Sequence, residues 1–311
     1  MVALLLIALG AVLLYAGGEI LVRSVCRLAA TLNISPLVIS LTVVAFGTSA
    51  PEVAVVVGAG IADRPAIALG NVLGSNIANL GLVLGLAALF HALVASRTFL
   101  RRDLPFMVGS AVILLPVAWL DGLGRPVAFV LLAVLMVYLW ILFRGGDSQT
   151  QDADQPPGGA KGGLPGSLAA LIAGLALLIF GAHILVEAAV DLALGMGVSE
   201  RVVGLTIVAF GTSLPEVASC LVAALRRQGD VVLGNIIGSN VFNTLFVLPI
   251  GLLVLPVSAT ATQIVDIAVM IGASLLAFFF LYRRPHLGRV EGVVMLFGYV
   301  AYVVFLFTQS G

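Results

Sequence analysis

Charge is scarce in this chain of 311 residues: 15 Lys and Arg and 15 Asp and Glu make up 10% of it, while 61% is apolar. A polypeptide of this length cannot cover a water-soluble globule with so few polar side chains, so the soluble classes are excluded and an integral membrane protein is expected. Cysteine is nearly absent. Cys26 and Cys220 lie in or beside apolar segments, and packing roles are expected for them rather than a disulfide framework. The three histidines fall outside the motifs described below, which removes the usual soft-metal ligands. With zero formal net charge and arginines confined to short loops, there is no basic stripe for nucleic acid.

What is present is apolar sequence in long runs. Spans of about 20 residues fit ten segments, at 2 to 22, 36 to 60, 67 to 90, 104 to 120, 126 to 143, 167 to 190, 202 to 225, 231 to 255, 263 to 282 and 292 to 308. All are expected to be helices, because lipid offers no partner to an unpaired backbone group. No basic region or small-residue cleavage site marks the first segment as a removed signal, so it is expected to be the first span. The predicted fold class is an all-α membrane protein.

Two blocks of sequence occur twice. VISLTVVAFGTSAPE, Val38 to Glu52, returns as VVGLTIVAFGTSLPE, Val202 to Glu216; at the same offset GNVLGSNIAN, Gly70 to Asn79, returns as GNIIGSNVFN, Gly234 to Asn243. Duplication of a whole half is the simplest cause. The expected organisation is a five-helix repeat at 1 to 143, a linker at 144 to 166 and a second five-helix repeat at 167 to 311.

Arginine placement orients the halves. With the amino terminus outside, the odd-numbered loops hold Arg23, Arg27, Arg97, Arg101, Arg102, Arg144, Lys161, Arg226, Arg227, Arg283, Arg284 and Arg289, leaving Arg64, Arg125 and Arg201 on the other side. The positive-inside rule then puts both termini outside and the linker in the cytoplasm. Five spans per half force the two repeats to be inverted. Arg23 and Arg27 correspond to Glu187 and Asp191 in the second copy, a basic inner edge exchanged for an acidic outer one. The linker, RGGDSQTQDADQPPGGAKGGLPG, is rich in Gly, Pro, Gln and Asp and reads as flexible; its aspartates lack the ligand alternation of a calcium loop.

The chemistry lies in the duplicated blocks. Thr48 and Ser49 stand four and three residues before Glu52, so a continuous helix places two hydroxyls and a carboxylate on one face, and Thr212, Ser213 and Glu216 repeat this. Ser75, Asn76 and Asn79, with Ser239, Asn240 and Asn243, supply further oxygens. Pro51 and Pro215 each remove a backbone donor and are expected to kink the helix and release the carbonyls of Gly47 and Gly211. Together these form a hard, all-oxygen ligand set suited to calcium more than to magnesium, which keeps its waters. Two carboxylates balance one divalent ion or are neutralised by monovalent ions or protons. A structural role for both glutamates is the competing reading, but each costs roughly 2.5 to 3.5 kcal/mol near the bilayer centre. For Asn76 and Asn240, interhelical amide glue stands beside ligand duty. Glu19 and His183 occupy equivalent positions on the first and sixth segments, where tuning of gating is one reading and snorkelling to the interface the favoured one. Asp103 and Asp266, near segment ends, are expected to be solvated or capping.

GTSAPE with GNVLGSNIAN, followed by GTSLPE with GNIIGSNVFN, resembles the two alpha repeats of the calcium/cation antiporter superfamily, and prokaryotic sodium/calcium exchangers in particular, over essentially the whole chain. The resemblance implies a prokaryotic inner-membrane antiporter that exchanges Ca2+ for Na+ by alternating access. It implies no cofactor, no catalytic residues and the lipid bilayer as partner. Glu52 and Glu216 would bind calcium and share sodium sites, the hydroxyls of Thr48, Ser49, Thr212, Ser213, Ser75 and Ser239 would coordinate sodium, and Asn79 and Asn243 would add ligands. It also implies backbone ligands at Ala45 and Ala209 rather than Gly47 and Gly211. Several relatives, among them potassium-dependent ones, carry aspartate where this chain has Asn243, which argues against potassium co-transport. A proton/calcium antiporter with the same site and a passive cation channel are the alternatives; an intramembrane hydrolase is disfavoured because no nucleophile stands beside a His or Lys base.

Overall fold

The computed structural model describes residues 2–119, 123–144, 163–197, 209–257 and 261–309. The chain is an all-helical membrane protein with eight helices long and apolar enough to cross a bilayer among the described residues. We number the elements α1 (Val2–Leu32), α2 (Pro36–Ile61), α3 (Pro65–Phe90), α4 (Leu104–Val112), α5 (Leu114–Trp119), α6 (Arg125–Arg144), α7 (Gly163–Gly195), α8 (Leu214–Leu225), α9 (Gly229–Val254), α10 (Ala261–Arg283) and α11 (Arg289–Gln309). The segment expected as a single span at 104 to 120 is divided at Ile113 between α4 and α5. Of the span expected at 202 to 225, residues 209–225 are described, comprising the turn Ala209–Gly211, Thr212, Ser213 and α8; 202–208, and Arg201 ahead of them, lie outside the described residues, as does nearly all of the linker.

Helix ends depart from the hydropathy reading. Both α1 and α7 run past their apolar windows, so Arg23, Arg27 and Asp191, beyond the expected spans, sit on helix, as Glu187 does. Hydropathy reports where lipid ends, whereas a helix continues until its backbone pairing stops.

Glycine decides which helices approach closely. Gly10 lies so near Gly181, and Gly17 so near Gly174, that an added Cβ would stand 2.8 to 3.0 Å from the partner backbone, which makes α1 and α7 an intimate antiparallel pair. Gly234 and Gly238 of α9 press in the same way on Leu37, Leu41 and Ala45 of α2. The most buried helices are α9 and α3, with 83% and 78% of their most apolar windows inside the bundle, against 11% for α11. Large apolar side chains such as Phe129, Trp140, Phe143 and Phe297 face outward, as a lipid-facing surface requires.

Contacts between the halves recur at equivalent positions. Arg125 Nε donates to the Leu253 carbonyl at 3.2 Å, and Arg289 Nε donates to the Leu89 carbonyl at the same distance. Asp63 and Arg227 both adopt left-handed backbone, at φ 55° and 57°, in turns closed by matching 2.8 Å bonds from Arg64 to Ala59 and from Gln228 to Ala223. A two-residue antiparallel ladder pairs Leu93 with Leu287 and Val94 with His286, and Val257 N–H bonds the Leu123 carbonyl at the corresponding place in the other half.

Two expectations at the helix ends are corrected. Asp103 is fully buried, held by the Arg102 guanidinium at 2.8 and 3.2 Å and by the Tyr138 hydroxyl at 3.2 Å. Asp266 accepts from Tyr302 at 2.9 Å, again tying neighbouring helices together. A carboxylate at the lipid boundary is held by whichever donor the tertiary fold brings, and here those donors include the side chains of Arg102, Tyr138 and Tyr302. Cys26 and Cys220 are free, as expected, with Cys26 donating to Gln228 at 3.3 Å.

Candidate functional site

Each glutamate starts a helix instead of continuing one. The backbone of α2 breaks at Ser49 (φ −81°, ψ 5°) and restarts at Ala50, so Glu52 occupies a first turn; Ser213 (φ −84°, ψ 0°) and Glu216 of α8 repeat this. Pro51 and Pro215 sit where a missing N–H is tolerated. The positive end of each half-helix therefore lies at its carboxylate, which favours negative charge on two buried side chains.

The break overturns the one-face expectation. Glu52 accepts from Ser75 of α3 at 3.4 Å and has Thr212, from the other half, beside it. Glu216 in turn lies beside Thr48 and Ser239, and close enough to Glu52 to feel its charge. Thr48 thus serves the opposite glutamate rather than the one four residues on, because the interruption at Ser49 removes the helical register that would have aligned them.

The hydroxyls are organised by asparagines that motif spacing did not single out. Thr48 Oγ1 meets Asn235 Oδ1 at 3.2 Å and Ser239 Oγ at 3.4 Å, while Asn71 Nδ2 donates to Thr212 Oγ1 at 3.5 Å. Asn235 also donates to Ser219 at 2.9 Å. Asn71 and Asn235 are the second residues of the two GN dipeptides, and their recurrence at one offset is the available signal. Thr244 has no such signal, since the first copy carries Leu80 there; it accepts from Asn76 Nδ2 at 3.0 Å.

Backbone carbonyls divide between the copies. The Ala45 carbonyl receives the Ser49 N–H at 3.1 Å and the Thr48 hydroxyl at 3.4 Å, whereas the Ser213 N–H turns to Phe210 at 3.2 Å, one residue short of Ala209. Pro51 and Pro215 offer no donor to Gly47 and Gly211. Farther along, Asn79 and Asn243 each open a π-helical turn, Asn79–Val83 and Asn243–Val247, where backbone pairing is loosened in both copies.

Burial and satisfaction mark the place where a cation fits. Glu52, Glu216, Thr48, Ser49, Ser75, Ser213, Ser239, Asn79 and Asn243 are all buried. Among their atoms, Glu52 Oε2, both carboxylate oxygens of Glu216, Ser49 Oγ, Asn79 Oδ1 and both amide atoms of Asn243 have no hydrogen-bond partner. Buried polar atoms are ordinarily paired, and so many unpaired oxygens beside two carboxylates are an arrangement that a hard cation would satisfy. Among the described residues no group of three or more His, Cys, Asp or Glu gathers, so neutral oxygens must complete any coordination shell.

An all-helical membrane bundle with a buried, oxygen-lined pocket of side chains between two broken helices has the form of one class of protein, a membrane transporter. The sodium/calcium exchanger protein family matches residues 2–144 and again 166–308, and the chain belongs to that family. It is 37% identical to the putative antiporter CaxA of Alkalimonas amylolytica, across 99% of this chain and 100% of that protein. To the sodium/calcium exchanger MaX1 of Methanosarcina acetivorans it is 32% identical, across 97% and 98%. Among solved structures, the sodium-calcium exchanger NCX_Mj soaked with zero Na+ and Ca2+ superposes with a TM-score of 0.85 at 35% identity, covering 98% of this chain and 99% of that one.

Proposed function

We propose that this protein is a secondary active antiporter that exchanges calcium for sodium at one midplane site. It is built of ten spans in two inverted five-helix repeats, 1 to 143 and 167 to 311, joined by a cytoplasmic linker, with both termini outside. The observation that carries this reading is the pair of buried glutamates at the starts of broken helices, each beside a hydroxyl of the opposite half and with carboxylate oxygens unpartnered. Two carboxylates neutralise one Ca2+, or are neutralised by sodium ions, and the same oxygens serve both loads. A carrier whose empty site exposes two buried charges is not expected to cross unloaded, which enforces exchange.

The antiparallel α1 and α7 glycine pairing, the matched Arg125 and Arg289 bonds and the double match of the family all support inverted repeats. Thr48 and Asn235 are buried while their counterparts Thr212 and Asn71 are partly exposed, a difference that suits a site open toward one side only. The arginine bias places that side outside. Alternation would carry α1 and α7 across the core to bury Thr212 and uncover Thr48.

Proteoliposomes loaded with sodium decide the coupling. Calcium uptake is expected on an outward sodium gradient, and none on a pH gradient alone. Uptake driven by protons alone would reassign the counter-ion, and calcium flux with no counter-ion gradient would make the protein a channel.

A further inference from the structure

Two methionines sit against the asparagines of the site without an assigned part in it. Asn76 Nδ2 donates to Met270 Sδ at 3.3 Å as well as to Thr244, and Asn240 Nδ2 donates to Met107 Sδ at 3.7 Å. Both methionines are 1% exposed. They line, with Asn76, Asn240 and Thr244, one pocket too tight to admit a water molecule. A thioether accepts hydrogen bonds weakly and donates none. Beside a carboxamide in a dry pocket, it therefore tolerates the NH2 end and rejects the oxygen end.

We propose that Met107 and Met270 are positioning residues for the ion site, fixing which way its asparagine amides face and hence which carbonyl oxygens remain for a cation. This rests on the exchanger reading above. At Met270 the effect is direct: with both Asn76 N–H groups taken by Met270 and Thr244, Asn76 Oδ1 is buried without a partner. At Met107 it passes through one relay. Asn240 gives its amide to the sulfur and its Oδ1 accepts from Asn79 Nδ2 at 3.3 Å, which leaves Asn79 Oδ1 buried and unpartnered. Leucine in place of either sulfur would fill similar space but set no orientation, so the amide would be free to turn and present N–H hydrogens to a cation.

The test is a double-mutant cycle on the full chain in lipid nanodiscs, read by calcium titration calorimetry and thermal unfolding. Met270→Leu and Met107→Leu are expected to weaken Ca2+ binding by about two- to tenfold, the range of one hydrogen bond, with little change in unfolding temperature. Met270→Leu should have no further effect in an Asn76→Ala background, nor Met107→Leu in an Asn79→Ala background. Additive losses would overturn the proposal, because a packing role does not need the amide; unchanged affinity in the single variants would overturn it too. Should the leucine variants fail to fold, replacing the 6 methionines by norleucine, which lacks only the sulfur, is expected to weaken binding while selenomethionine preserves it; equal affinity in both would overturn the proposal. Glu52→Gln is the control. If that change leaves calcium binding intact, the exchanger reading itself fails, whereas a large Glu52→Gln effect beside silent methionine changes removes the positioning role alone.

Discussion

Glu19 of α1 accepts two charge-assisted hydrogen bonds from Arg226 at the end of α8, at 2.8 and 2.6 Å. Arg23 closes on the same carboxylate at 3.0 Å. Interfacial snorkelling, the expected role, is therefore not what Glu19 does: it clips α1 to the helix that carries Glu216. Among the described residues its counterpart His183 reaches Glu187 on its own helix, at 3.3 Å, and the counterpart of Arg226 is Ala62. Among the described residues the clip has no equivalent in the other half, so in the exchanger proposed above it would favour one position of α1 over the other.

Glu19→Gln and Arg226→Gln are accordingly expected to change the exchange rate in the same direction, by about two- to fivefold for an ion pair open to water. The double variant should behave like either single one, and the charge swap Glu19→Arg with Arg226→Glu should restore part of the difference. Flux assays in proteoliposomes check this; opposite effects of the two single changes would mean that the pair does not act as a clip.

Neutralising either glutamate leaves its partner and the ion undercompensated. Glu52→Gln and Glu216→Gln should each lower calcium affinity at least about thirtyfold, the range seen when one member of a buried charge pair is removed. Sodium-driven calcium uptake should fall below detection. Flux that survives both single changes would place the ion elsewhere.

Asn235 holds Thr48 and Ser219 together. Asn235→Ala should weaken sodium binding by about five- to fiftyfold, since it strands buried hydroxyls, while Asn235→Asp, which retains an acceptor for Thr48, should recover part of it. The sodium dependence of uptake gives the measurement, and an unchanged half-saturating sodium concentration in the alanine variant would rule out this role.

Glycine substitutions separate packed from lipid-facing positions. A Cβ on Gly17 would stand 2.8 Å from the backbone of Leu178, whereas one on exposed Gly298 meets nothing within 4 Å. Gly17→Ala should destabilise the protein by about 1 to 3 kcal/mol and Gly298→Ala should be neutral or mildly stabilising. Thermal unfolding in detergent distinguishes them, and equal effects would contradict the close α1 and α7 packing.

Much of the candidate site was legible before folding because the duplication repeats most of its oxygen-bearing residues at one offset, and acids in apolar runs stand out. Asn71 and Asn235 are equally repeated, yet spacing along one helix does not mark them, because it emphasises residues three or four positions from a carboxylate. Met107 and Met270 carry no such mark: an apolar side chain in an apolar helix acquires a polar task only from what it faces. Helix continuity was less legible, as at Ile113, where one apolar run divides into two helices with Pro116 in the second, since hydropathy measures lipid affinity and not backbone continuity.

Composition alone settled the solvent, because 10% charge leaves too little polar surface for water. The matched blocks alone determined that the candidate ligands are oxygen-bearing and present twice. Tertiary structure decided which oxygens meet. Periodicity assigns a residue to a face of its own helix but not to the helix across from it, and the break at Ser49 cancels even that local register. Thr48 therefore joins Asn235 and Glu216 rather than Glu52, and the amide oxygens left for an ion are set by two sulfur atoms that lie far from them in the chain.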